Sequence, residues 1–324
     1  MLPPSIIRFD LRRAPFAAIS EAEQHRTCLE MSRWADEHGF TAVGLSEHHG
    51  VDFISAPTTL AGLILGATRT VRVMVNALLI TLHDPVRLAE QAATLDITSG
   101  GRFTFVAGLG YRPEEFAMAG VEQKRRGAIT EEHIEVVRKA WTGEPFDWQG
   151  RTIVARPVPQ SPPELIMWAG GSVRRSAERA ARLRLPFFTM STDPAIGDIY
   201  REECAKVGYT TGFFLAPSGP LFVHIAEDPE EAWEEIAPYA VYDVVTYNEW
   251  QPSDHDNVAA SSATTADELR ASGAWLVVTP EECVDLVRRN GSIALHPLMG
   301  GMPAELGWSS LQLYVDKVLP QLTS

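Results

Sequence analysis

Residues able to do chemistry gather at four places in this chain. Ser46-Glu47-His48-His49 sets a carboxylate beside two imidazoles, and Asn76-Ala77 puts an amide inside an apolar run. Gly108-Leu109-Gly110-Tyr111-Arg112 and Gly170-Gly171-Ser172 are glycine-rich turns with polar residues at hand. An imidazole titrates near neutral pH, so His48 suits a proton donor or acceptor. Taken alone, that residue is more commonly a hydrogen-bonded structural histidine. Glu47 either orients such a histidine or pairs with a nearby arginine. Adjacent residues of a strand point to opposite sides, so His48 and His49 do not share one metal. No carboxylate and histidine spacing completes a zinc or non-haem iron site.

Glycines after a strand let a ligand approach the backbone, and a helix N-terminus offers free N–H groups to a phosphate. Gly170-Gly171-Ser172 fits that arrangement, with Arg174 and Arg175 to add charge; a tight strand-to-helix turn fits it equally. Gly108-Leu109-Gly110 is not a dinucleotide fingerprint, because Pro113 stands where the third glycine belongs. The chain therefore suits a mononucleotide and shows no nicotinamide site. It has no G-x-S-x-G elbow for a serine hydrolase. A carboxylate pair for glycoside hydrolysis, Glu47 with Asp10, stays open.

The elements that would position these residues alternate, short β-branched runs with amphipathic helical stretches, as in repeated βα units. Strands are expected at Ser5–Asp10, Thr41–Leu45, Val71–Ile80, Phe103–Ala107, Leu165–Ala169, Phe187–Met190, Leu221–Ile225 and Ile293–Leu298. Between them come helices marked by capping signals: Ser20 with Glu23, Asp84-Pro85, Asp228-Pro229, and Thr279-Pro280-Glu281-Glu282. The Pro- and Gly-rich stretch Trp141–Pro163 interrupts the rhythm with an expected small inserted hairpin, and the polar segment Ser253–Ser272 reads as a mobile lid. Eight strands, each with its helix, predict an α/β fold, a (β/α)8 TIM barrel spanning residues 1–324 as one domain, with a doubly wound sheet as the alternative. The four chemical segments then all fall at strand C-terminal ends, where such barrels carry their active sites.

The 324 residues are 45% hydrophobic, too apolar for a disordered chain, and no apolar run is long enough to span a membrane. The formal charge of −14 and a single dense basic cluster, Lys124-Arg125-Arg126, argue against nucleic acid and for a small-molecule partner. That cluster reads as an exposed helix start. Three scattered cysteines, Cys28, Cys204 and Cys283, suit a reducing cytoplasm, and no secretory signal is visible at the N-terminus.

Together the motifs resemble the bacterial luciferase-like monooxygenases, a family of flavin- and deazaflavin-dependent barrel oxidoreductases. The likeness rests on Ala42-Val43-Gly44-Leu45-Ser46-Glu47-His48-His49 and on His83-Asp84-Pro85-Val86-Arg87-Leu88-Ala89-Glu90. It continues through Leu95-Asp96, Ser99-Gly100-Gly101-Arg102-Phe103, Gly108–Phe116 and Thr279–Cys283. The first 190 residues match well and Val207–Trp275 only loosely.

The resemblance implies a reduced flavin across the top of the barrel. His48 would assist proton transfer there, helped by Glu47. Asn76-Ala77 would form a non-proline cis peptide or bulge behind the isoalloxazine ring, with Gly108 beside its reactive edge and Tyr111 in the same pocket. Gly170, Gly171 and Ser172 would meet the phosphate. Leu109 replaces the luciferases' phosphate-binding arginine, so Arg112, Arg174 or Arg175 would supply that contact. Gly170 and Gly171 likewise replace an acid and a serine, which speaks against luciferase activity itself. Phe9, Trp168 and His296 are candidates to line the substrate pocket.

The first expectation is a two-component monooxygenase using reduced FMN, O2 and a small organic substrate, with a separate NAD(P)H:flavin reductase. The second is hydride transfer with the deazaflavin coenzyme F-420, and the third a non-catalytic flavin-binding protein. A homodimer is implied by the resemblance.

Overall fold

The computed structural model describes residues 3–216, 219–251, 257 and 259–322. Twelve strands occur among them: β1 (Ser5–Phe9), β2 (Ala42–Leu45), β3 (Arg72–Leu79), β4 (Phe103–Gly108), β5 (Phe146–Trp148) and β6 (Arg151–Ile153) come first. β7 (Met167–Gly170), β8 (Phe187–Phe188), β9 (Phe214–Leu215), β10 (Phe222–Ile225), β11 (Trp275–Val278) and β12 (Ile293–Leu295) complete the set. Eight strands form one parallel sheet in the order β12-β1-β2-β3-β4-β7-β8-β9. Neighbours in that sheet are neighbours in sequence, and the last strand pairs with the first, Ser5 opposite Ile293. A doubly wound sheet reverses its strand order part way. This one curls like a barrel instead.

The curl is not a closed ladder of hydrogen bonds, which corrects the expected eight-strand count. β10 and β11 pair with each other, Phe222 opposite Trp275, outside the eight-stranded sheet. The break has a physical cause: β8 and β9 are two residues each, and Gly219-Pro220 comes just before β10. A proline has no N–H to give a ladder. Trp275–Val278 and Phe214–Leu215 are strands beyond the expected set, although Trp-Leu-Val-Val is a β-favouring run. Leu165 lies not in a strand but in a helical turn, Pro163–Ile166. Pro113–Ala119 is an unexpected helix, opened by Pro113 at its first position.

Local chemistry explains the elements that hold the site. Ser20 accepts from the Glu23 N–H to start helix Glu21–Glu37, and Asp84 accepts from Val86 and Arg87 to start helix Pro85–Ser99. Thr279 and Glu282 form a complete capping box on helix Pro280–Asn290. All six residues of β4 are buried, as expected of a parallel strand covered on both faces. Its neighbour β3 slips register between Asn76 and Leu78, leaving Ala77 without a partner, and the Asn76–Ala77 peptide is cis.

Two expected insertions lie off this frame. Phe146–Trp148 pairs antiparallel with Arg151–Ile153. Of the polar segment 253–272, residues 253–256 and 258 fall outside the described residues. Its later part holds a helix, Ala266–Ala271, opened by a capping box of Thr265 and Glu268. No described helix is long and apolar enough to cross a membrane.

Candidate active site

A cavity of about 670 Å³ opens at the C-terminal ends of the strands. It brings together all nine residues expected at the site. Glu47 and His48 come after β2, Asn76 and Ala77 sit at the β3 bulge, and Gly108 and Tyr111 lie at the end of β4. Gly170, Gly171 and Ser172 lead out of β7. Of the three residues expected to line a substrate pocket, His296 does so. Phe9 is 1% exposed inside the core, and Trp168 packs on Phe213 while donating its indole N–H to the Glu164 carbonyl. Neither is part of the cavity wall.

The division of labour around the two histidines differs from expectation. Glu47 does not touch His48. Its Oε1 accepts from His49 Nε2 at 3.0 Å and His83 Nε2 at 2.7 Å, and its Oε2 accepts from the Leu79 N–H at 2.6 Å. Burial alone would raise its pKa, but these bonds outweigh burial and carry it down to about 2. Such a carboxyl is no proton donor at neutral pH, and His296 and Arg12 hold Asp10 down as well, so the pair of Glu47 with Asp10 lacks the acid that glycoside hydrolysis needs.

The partner of His48 is Glu115, a residue of helix Pro113–Ala119 that the sequence motifs do not single out. His48 Nδ1 lies 2.8 Å from Glu115 Oε1, which also accepts from the His49 backbone N–H at 2.9 Å. Arg112 Nη1 reaches the same oxygen at 3.4 Å. Burial opposes ionisation of Glu115, yet His48, the His49 amide and Arg112 together hold its carboxyl below the ordinary range. An ionised carboxylate only accepts, so His48 carries its proton on Nδ1 and presents Nε2 as an acceptor. The Tyr111 hydroxyl sits 3.2 Å from that Nε2. Burial, with Arg12 and Arg112 nearby, lowers the His48 pKa despite Glu115, so the imidazole is neutral at pH 7. Phe53, Tyr111 and Trp250 meet its ring edge-on and screen it from water. Glu115 carried one sequence signal: it falls within the first turn of a Pro-started helix directly after a chemical loop.

The glycine-rich end has two causes at once. A Cβ on Gly171 (φ 147°) would stand 2.3 Å from Ser176 Oγ, and one on Gly170 would stand 2.7 Å from Val106 Cγ1. A tight turn therefore demands both glycines. Helix Arg174–Arg182, which this turn starts, has no side-chain cap, and the Ser176 N–H donates to the Val173 carbonyl, which leaves the Arg174 and Arg175 N–H groups to meet an anion. A Cβ on Gly108 would come 2.7 Å from the Ala77 Cβ, so the cavity floor there must stay free of side chains.

None of the three expected phosphate arginines lines this end. Arg112 is buried against Trp250, its guanidinium carbon 4.6 Å from the ring centroid, and donates to the His49 carbonyl. Arg174 pairs with Glu178 at 2.7 Å, and both it and Arg175 lie outside the cavity wall. Arg126 lines the cavity instead, along with Ser172 and Ser176. It belongs to the basic cluster read from the sequence as an exposed helix start, and it does open helix Arg126–Ala140.

Comparison with known proteins agrees with this geometry. Residues 11–295 match the family model described as luciferase-like monooxygenase. An F420-dependent glucose-6-phosphate dehydrogenase of Nakamurella multipartita is 26% identical over 350 residues, covering 99% of this chain and 98% of that protein. A 4-hydroxyprotoasukamycin monooxygenase of Streptomyces nodosus is 29% identical over 118 residues, 36% of this chain and about a third (32%) of its relative.

Among solved structures, monooxygenase RslO1 of Streptomyces bottropensis superposes with a TM-score of 0.78 at 23% identity, covering 98% of this chain and 99% of that one. The oxygenating constituent of 3,6-diketocamphane monooxygenase from Pseudomonas putida, in complex with FMN, gives 0.71 at 16% identity over 99% and 98%. These likenesses support the same fold. With the family model matched over most of its length, the chain belongs to the luciferase-like monooxygenases, a family of flavin- or F420-dependent oxidoreductases.

Proposed function

We propose that this protein is a two-component monooxygenase that takes reduced FMN from a separate NAD(P)H:flavin reductase and oxidises a small organic substrate with O2. One observation carries the reading: a single cavity joins a neutral, carboxylate-backed imidazole to a glycine-built end poised for an anion. Its volume lies within the range of small-molecule and cofactor sites, about 300–1,000 Å³. The residues fit a flavin. Asn76, Ala77 and Gly108 would support the ring, while the Gly170–Ser172 backbone, Ser176 and Arg126 would hold the phosphate.

When bound, reduced FMN supplies the electrons and the centre at which dioxygen is activated. His48 takes up or returns a proton at Nε2, and Glu115 fixes the tautomer and steadies the imidazolium. Tyr111, kept protonated because burial and its neighbour Tyr247 raise its pKa, holds the Nε2 lone pair in line. The reductase and a homodimeric assembly are part of the same proposal. The full-length likeness to an F420-dependent dehydrogenase favours a second reading, hydride transfer from reduced F-420, since a backbone-built phosphate end suits either cofactor.

An anaerobic equilibrium titration with reduced FMN, and separately with reduced F-420, distinguishes them. Tight binding of reduced FMN alone, with turnover only after O2 is admitted, is the expected result. Preference for F-420 with anaerobic turnover replaces it by the second reading. Binding of neither removes both. Flavin binding without turnover under any condition, unchanged in His48→Ala, would leave a flavin-binding protein.

A further inference from the structure

A second carboxylate–imidazole pair faces the same cavity from the ends of β1 and β12. The expected cofactor residues sit on β3, β4 and β7; Asp10 comes directly after β1, and His296 directly after β12. β1 and β12 are paired, Ile7 opposite Leu295, so the two side chains emerge together. Both are nearly sealed from bulk water, at 2% and 3% exposure, yet both line the cavity. Asp10 Oδ1 is anchored by the Arg12 backbone N–H at 2.9 Å. His296 Nε2 lies 3.4 Å from that oxygen without the alignment of a hydrogen bond. Among the described residues, this buried Nε2 has no hydrogen-bond partner. A buried polar group left open in this way is uncommon and calls for a reason.

The other charges of this wall are fixed elsewhere. Arg12 donates to Asp243, through both its carbonyl and its carboxylate, and its guanidinium carbon lies 4.7 Å from the Trp250 ring centroid. Arg8 lines the wall as well, so two arginines balance Asp10 and Asp243. Burial alone would favour protonated Asp10, but His296, Arg12 and Arg8 outweigh it and keep the carboxyl well below its ordinary pKa. The same cavity also has broad apolar lining, Phe188, Met190, Phe222 and Trp275.

We propose that His296, backed by Asp10, is a second proton acceptor in the cavity and that the substrate is an aromatic or enolic hydroxyl compound bound with its O–H against His296 Nδ1. The O–H bond breaks and its electron pair stays on oxygen. The proton forms the new N–H bond at Nδ1, and the resulting imidazolium turns its Nε2–H to the Asp10 carboxylate. A phenolate or enolate is electron-rich at carbon, which is what an electrophilic oxygen-transfer site requires of its substrate. This substrate class deepens the monooxygenase reading and rests on it for the oxidation that comes after the proton transfer, but the transfer itself needs no flavin.

The test is therefore done on the flavin-free chain with para-nitrophenol, whose phenolate absorbs at longer wavelength than the phenol, and with its methyl ether para-nitroanisole. At a pH below the phenol's own pKa, binding should bring up the phenolate band, and the phenol should bind about tenfold tighter than the ether, roughly 1.4 kcal/mol. His296→Asn and Asp10→Asn should lose the band and the preference while binding the ether as before. His48→Ala should keep the band, which separates the two imidazoles of the cavity. A wild-type spectrum of neutral phenol, or a band that persists in His296→Asn, overturns the proposal. If His296→Asn fails to fold, a band lost in Asp10→Asn and kept in His48→Ala still assigns the proton to His296, and neither result depends on whether FMN or F-420 is the cofactor.

Discussion

Glu47 and Glu115 are both buried glutamates with histidine partners, yet their surroundings differ in one respect. Glu47 uses both oxygens, holding His49, His83 and the backbone N–H of Leu79 beside the β3 bulge. Glu115 gathers its bonds on Oε1, and its buried Oε2 has no hydrogen-bond partner among the described residues. A saturated carboxylate fastens its neighbours. One with spare acceptor capacity can gain interaction energy when a positive charge forms beside it, as it does when His48 is protonated. The side chains of the adjacent residues His48 and His49 thus divide between the two networks, His48 on Glu115 and His49 on Glu47.

Replacing His48 by Ala should produce the largest effect, a loss of turnover of about 10²–10⁴-fold, typical of a general acid–base, with reduced-flavin affinity changed far less. Single-turnover rates beside equilibrium titrations would show the split; equal losses in both would make His48 a binding residue. Glu47→Gln should act on stability first. Its pKa of about 2 against an ordinary 4.5 corresponds to about 3 kcal/mol of folding free energy at pH 7. A depressed carboxylate stabilises above its unfolded pKa, so the gap between wild type and variant should close as pH falls from about 4.5 to 2. Urea melts across that range measure it. A constant gap would mean that the charge of Glu47 contributes nothing.

Glu115→Gln should lower turnover by less than His48→Ala and should leave a signature in the pH profile. His48 must be neutral to accept a proton, so activity holds at pH 7 and falls on acidification through a pKa already below 6.5. Glu115 raises that pKa, and its loss should move the acid limb of kcat to still lower pH. An unmoved limb would assign the limb to another group. Arg126→Ala should give the smallest change, about tenfold weaker binding of reduced FMN, roughly 1.4 kcal/mol, with reduced riboflavin unaffected. Equal weakening of both would detach Arg126 from the phosphate.

Much of the site was legible because its signals are local. A strand ending in Glu47-His48-His49 and a glycine pair at a helix start each depend on a few consecutive residues, whereas the bulge at Asn76-Ala77 was implied by the family resemblance. The nine expected residues meet in one cavity. The features that escaped depended on contacts distant in sequence. Glu115 reaches His48 across 67 positions, and Glu47 turns to His83 across 36. Arg126 looked like surface, and it is an exposed helix start that also borders the cavity. Arg112 looked available for phosphate, and a tryptophan at the end of helix Pro229–Trp250 holds it elsewhere.

By itself the sequence determined the alternation of strands and helices, the order of the chemical motifs around the ring and most of the side chains that line the cavity. Those stem from propensity, capping and turn chemistry, which act over a few residues. Only the tertiary structure decided which glutamate serves which histidine, which arginine borders the glycine-built end, and that the sheet curls without a continuous ladder past β9. Hydrogen-bond partners and pKa values depend on burial and on groups brought together from far along the chain, and no local pattern encodes those distances.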